Sequence, residues 1–192
     1  MTKTTENIYN EMLNTFPDTL KQTSVNVNKT TSDKYMTLCE TIVANFDNFK
    51  HDFVKDMKLT ESPKSCDALY KNAADEYFLI EFKNGEIEAK KNYEIKVKIF
   101  ESLLMLSEKF SKTIEFTRNN LIFILVYNEN VKHGSKQFED TGINIIQNSL
   151  YNLANIHLIR FGLHRFKTLY FKDVYTYSKS EFESEFVTKY CN

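Results

Sequence analysis

Long apolar runs, a basic surplus and paired cysteines are all missing from this 192-residue chain. Its longest uninterrupted apolar stretch, Leu121 to Tyr127, is seven residues. A bilayer-spanning helix needs ~20, so no such helix is expected. The N-terminus reads MTKTTENIYNEM, with no apolar stretch behind its lysine, and no secretory signal is expected either. Cys39, Cys66 and Cys191 are the only cysteines and form no CxxC pair, so they supply neither a disulfide framework nor a zinc signature. A reducing cytoplasm is the expected setting. Lys and Arg number 25 against 26 Asp and Glu. That balance argues against a histone-like or tail-type nucleic-acid binder but leaves room for an enzyme with a local basic groove. Arg118, Arg160 and Arg165 are the only arginines, and the lysine bias fits an AT-rich coding sequence. With four glycines and two prolines, long regular elements should dominate.

What is present is a globular composition, 42% apolar and 27% charged, at a length suited to one domain. Residues 1–31 are polar, with one weak amphipathic stretch from Ile8 to Phe16, and read as a loosely attached arm. Residues 32–192 read as a single domain with a C-terminal extension. Tyr35, Leu38, Ile42, Phe46, Phe49 and Phe53 recur at three- and four-residue steps, which predicts a helix over 32–56 with Ser32 as its N-cap. The period then changes. Residues 64–70 are strand-like, Asn72 to Asp75 supply turn chemistry, and Tyr77 to Lys83 read as a buried strand ended by Asn84-Gly85. Helical period returns over 88–110, with Ile95, Ile99, Leu103, Leu106 and Phe110 on one face. Leu121 to Tyr127 is a central strand, and a polar loop over 128–137 leads to a helix aligning Ile143, Ile146, Leu150 and Leu153. A strand over 169–177 and a short helix opened by a capping box at Ser180 to Glu183 complete the pattern. Mixed α/β follows, with helices on a small sheet.

The chemistry concentrates in Cys66-Asp67-Ala68-Leu69 and, with thirteen residues between Asp67 and Glu81, in Glu81-Phe82-Lys83. On a strand, Glu81 and Lys83 share one face with Tyr77 and Leu79, while Phe82 shares the other with Phe78 and Ile80. A hairpin partner carrying Asp67 brings a second carboxylate beside Glu81. Two carboxylates and a strand carbonyl make a hard oxygen site suited to Mg²⁺ or Mn²⁺. A neighbouring lysine can then orient a water. An unpaired charge on so apolar a strand would be costly, which gives these two residues weight. The competing reading is an edge strand with a solvated Glu–Lys pair.

The pattern resembles the PD-(D/E)xK nuclease superfamily, with its restriction-endonuclease-like α-β-β-β-α-β core, a central mixed sheet flanked by helices. The resemblance covers about half of the chain, residues 32–127, and departs at Cys66, where the superfamily usually has proline. It implies a metal-dependent nuclease acting on nucleic acid, with DNA favoured over RNA. Asp67, Glu81 and the Phe82 carbonyl would hold Mg²⁺ or Mn²⁺, and Lys83 would position the attacking water. It also implies a homodimer, the common state of small enzymes of this class. Some members add an acid from the first helix, for which Glu40 is the candidate by position. A solvated surface glutamate is its alternative reading. Others carry a polar or basic residue on the helix after the ExK strand. Lys96 borders the apolar stripe there and is the accessory candidate, with a snorkelling structural lysine as the alternative, whereas Lys98 reads as surface.

From His157 to Lys172 there are four Lys or Arg, no Asp or Glu, and interleaved aromatics. Arg160, Arg165 and Lys167 are the candidates for holding phosphates, with Phe161, Phe166 and Phe171 either stacking on bases or filling the core. His157 and His164 are seven residues apart without a third ligand and do not read as a metal pair. A different class stays open beside the enzyme: a catalytically inactive protein on this scaffold, serving as a binding or inhibitory partner in a defence or mobile-element system.

Overall fold

The computed structural model describes residues 5–26, 34–133 and 158–191. Six strands lie side by side in chain order: β1 (Pro17–Thr19), β2 (Ile42–Asn45), β3 (Ala68–Lys71), β4 (Tyr77–Lys83), β5 (Leu121–Tyr127) and β6 (Asp173–Ser178). Pairings are antiparallel from β1 to β4 and parallel from β4 to β6. Five helices are interspersed: α1 (Thr5–Thr15), α2 (Leu20–Thr23), α3 (Phe46–Asp56), α4 (Ala89–Phe110) and α5 (Ile114–Asn120). A C-terminal helical run covers 179–190, its middle, Phe182–Val187, in π geometry. The molecule is thus α/β, a mixed sheet flanked by helices.

Side-chain alternation sorts the central strands into two apolar layers. Tyr77 and Leu79 of β4 pack with Leu121, Phe123 and Leu125 of β5 beneath α1, α3 and α4. Phe78, Ile80 and Phe82 pack with Ile122, Ile124 and Val126 against Phe182 and Phe186 of the C-terminal run. Because β5 is covered on both faces, it can be apolar throughout. The Asn72 turn forms as read: its Oδ1 accepts from the N–H groups of Ala74 and Glu76, and Asp75 takes φ 62°. Helix α4 buries Ile95, Ile99, Leu103, Leu106 and Phe110 together, and ends where Ser111 turns left-handed at φ 49°.

Three sequence expectations give way. No helix spans 32–56; among the described residues of that range, β2 is followed directly by α3. Thr41, Ile42 and Val43 are β-branched and favour the strand, and the Asn45 side chain accepts from Asn48 N–H, which starts α3 only at Phe46. Leu38 and Ile42, two members of the expected stripe, are 69% and 50% exposed. Residues 5–26 are not a loose arm. Ile8, Tyr9 and Met12 of α1 are buried in the core, and β1 pairs with β2, so a weakly amphipathic sequence is held by tertiary packing. The expected strand over 169–177 starts only at Asp173, and the capping box lies two residues earlier than expected, on Ser178 and Glu181, because β6 passes into the helix at Ser178 with no intervening loop. Helix α5 was not anticipated. Ser32, most of the 128–137 loop after His133, and the helix aligning Ile143 to Leu153 lie outside the described residues.

Candidate active site

Strand β4 carries Glu81 and Lys83 on the face that α4 covers, which follows from the two-residue period. Strand β3 pairs with β4 so that Leu69 lies opposite Leu79; two residues earlier, the same register leads Asp67 towards Glu81. The chain bends at Asp67. Its N–H donates to the Ile80 carbonyl of β4, while its own carbonyl accepts from Phe46 N–H at the start of α3. In a regular strand both groups of a residue point to the same neighbour. The divergence opens a gap between β3 and β4, and the Asp67 carboxylate fills it. Oδ2 accepts from Phe82 N–H at 2.6 Å. The Phe82 carbonyl, on the same strand edge as its N–H, faces this opening too.

Two ammoniums close the site. Lys83 Nζ lies 2.6 Å from Glu81 Oε1. Lys98, reaching across from α4, donates to Glu81 Oε1 and Oε2 at 2.8 and 2.9 Å and to Asp67 Oδ1 at 3.3 Å. Glu81 is fully buried, whereas Asp67, Lys83 and Lys98 keep 15%, 21% and 21% of their side chains exposed. Burial raises the Asp67 carboxyl to a pKa of about 7, and the Glu81 charge pushes the same way against the two lysines. Burial disfavours the Lys98 ammonium, but the two carboxylates more than offset this and hold its pKa above the usual lysine range. Burial and the nearby Glu81 charge keep the Cys66 thiol protonated. Cys66 therefore packs as a small apolar residue.

Asp67 and Lys83 open on a cleft of about 570 Å³ that residues 22–26 also line. Asp47, in the first turn of α3, lines the same cleft. Burial would raise its pKa, but hydrogen bonds from Lys50 and Ser65 outweigh it and hold the carboxyl below the usual range. Asp47 is thus the acid that α3 brings to the cleft. Glu40 is not: it sits in an extended segment, 63% exposed and paired with Lys21 at 2.6 Å. Its candidacy depended on a helix over 32–56 that does not form.

On α4 the roles of two lysines are exchanged. Lys98 enters the site, while Lys96 turns to the opposite flank, where partial burial, helped by the charge of Arg165, depresses its pKa. The clue was in the polar residues. Buried Ser102, one turn after Lys98, accepts from Cys66 N–H at 2.9 Å, so the buried face of α4 extends to Lys98's side.

The basic segment divides similarly. Phe161, Phe166 and Phe171 are buried core residues, so the base-stacking reading is withdrawn for them. Arg160 lies 6.0 Å over the ring of Tyr127, which pairs with Lys83 in the β4–β5 ladder. Arg165 is exposed over Phe166. Lys167 pairs with Asp173 at 2.8 Å. His157 lies outside the described residues.

Among the described residues, no group of three or more His, Cys, Asp or Glu side chains is placed to hold a metal ion. Asp67, Glu81 and the Phe82 carbonyl nevertheless fit one by donor type. Mg²⁺ is commonly held by one or two carboxylates, with waters and substrate phosphate completing its shell. No family model, no curated protein and no solved structure matches the chain.

Proposed function

We propose that this protein is a metal-dependent nuclease of the PD-(D/E)xK type, hydrolysing phosphodiester bonds in nucleic acid, with DNA the favoured substrate and a homodimer the favoured assembly. The observation that carries the reading is that Asp67, Phe82 and Lys83 line one open cleft, with the buried Glu81 carboxylate held against Lys83 behind them. Asp67, Glu81 and the Phe82 carbonyl would hold Mg²⁺ or Mn²⁺. Such an ion, when bound, lowers the pKa of a coordinated water and offsets phosphate charge. Lys83 stands on the cleft side of Glu81, held by that carboxylate, where its ammonium can orient a water and stabilise charge developing on the phosphate. Arg160, near the Lys83 end of the sheet, together with Arg165 and with Lys167, whose partner Asp173 opens β6 at the sheet's other end, would bind backbone phosphates.

One observation favours a second reading. The charges of Asp67, Glu81, Lys83 and Lys98 are satisfied among themselves, as in a structural ion network on a scaffold kept for binding. Incubation with single- and double-stranded DNA and RNA, in Mg²⁺, Mn²⁺ or EDTA, separates the two. The nuclease reading expects cleavage that EDTA abolishes and that falls by ~10²-fold in Lys83→Ala. Nucleic-acid or protein binding without cleavage under any of these conditions would favour the binding partner.

A further inference from the structure

Lys98 differs from Lys83 in what it touches. Lys83 contacts Glu81 Oε1 and lines the cleft. Lys98 Nζ is bound by three carboxylate oxygens from both acids, Glu81 Oε1 and Oε2 and Asp67 Oδ1. These are the oxygens that a divalent cation bridging Asp67 and Glu81 would need, at the shorter distances of roughly 2.1 Å that Mg²⁺ demands. An ammonium and a dication cannot both sit among them, because their charges repel and the oxygens' lone pairs are finite. We propose that Lys98 is the resident counter-cation of the Asp67–Glu81 pair and that a divalent metal binds there only by displacing it. This rests on the reading that Asp67 and Glu81 hold a metal.

The surroundings suit such an exchange. Helix α4 is pinned beside Lys98 by buried Ile95 and by the Ser102 to Cys66 hydrogen bond, so the backbone stays in place. The four-carbon stem can still rotate, and about one fifth of the side chain already meets solvent. With Lys98 in place, fully buried Glu81 and its neighbour Asp67 fold without leaving two adjacent anions to Lys83 alone. Lys98 is therefore a positioning residue: it holds the two acids together and sets the metal concentration at which they exchange partners.

Lys98→Met keeps the stem and removes the charge. Its melting temperature in EDTA should fall below that of the wild type. By titration calorimetry with Mn²⁺ alone, its affinity should tighten about tenfold or more, because the metal no longer has to break the attraction between a unit positive charge and two carboxylates. Lys98→Arg keeps the charge in a larger, forked group and should bind Mn²⁺ more weakly than the wild type. That variant guards against a Met substitution that fails to fold. An unchanged Mn²⁺ affinity in either variant, while the wild type binds, would overturn the displacement and leave the metal reading intact. No Mn²⁺ binding by the wild type or either variant would overturn the metal reading, and this inference with it.

Discussion

Replacing Asp67 with Asn should stabilise the protein above neutral pH. The substitution retains an acceptor for Phe82 N–H and removes one charge from the acid pair. The Asp67 pKa stands at about 7 in the fold against an ordinary 3.8. Because the folded value is the higher one, the native state binds the extra proton. The stability linked to this group is fully present below about pH 4 and is lost as pH rises to about 7. At ~1.4 kcal/mol per pKa unit, the loss amounts to about 4 kcal/mol. That figure is an upper limit, since solvent reaches 15% of the side chain. Urea unfolding of both proteins in EDTA, from pH 4 to pH 9, measures it as a difference and so cancels the other titrating groups. The advantage of Asp67→Asn should grow through pH 4 to 7 and then level off. Parallel pH profiles, or a wild type that gains on the variant as pH rises, would refute the reasoning and mean that Lys98 dominates Asp67's environment.

Glu81→Gln should act in the opposite direction, destabilising by ~3 kcal/mol in the same assay, because it strands two ammoniums that both rest on Glu81. Met12→Ala should cost ~2–4 kcal/mol, since α1 belongs to the core; a neutral result would restore the loose-arm reading. Charge reversal of Arg160, Arg165 and Lys167 together should weaken nucleic-acid binding and flatten its salt dependence, as read by fluorescence anisotropy. Lys167 should contribute least because Asp173 already pairs with it, and an unchanged salt slope would return all three to the ordinary surface.

Much of the frame was legible because periodicity is a physical signal. The period-two run from Tyr77 to Lys83 and the helical run ending at Phe110 became β4 and α4 nearly to the residue. The juxtaposition of Asp67 and Glu81 was legible too, since a short hairpin and alternating faces leave few other registers. What escaped depended on tertiary context. Leu38 and Ile42 mimic a helical stripe, but the β-branched run from Thr41 to Val43 and pairing with β1 and β3 make this segment extended, and Glu40 goes with it. Asn45 as an N-cap, with Asp47 just inside the helix, is the available signal for the acid that lines the cleft. Lys98 reads as surface when the buried stripe of α4 is taken from its apolar residues alone. Ser102 and Asn92, small and polar yet buried, show that the stripe is wider.

The central claim is that Asp67 and Glu81 are metal ligands while Lys83 is not. Titration calorimetry with Mn²⁺ on the wild type, Asp67→Asn, Glu81→Gln and Lys83→Ala tests it most directly. Lys83→Ala should bind at least as tightly as the wild type, and both acid variants should bind more weakly by ~10²-fold or beyond detection. Equal Mn²⁺ affinity in all four proteins would contradict it.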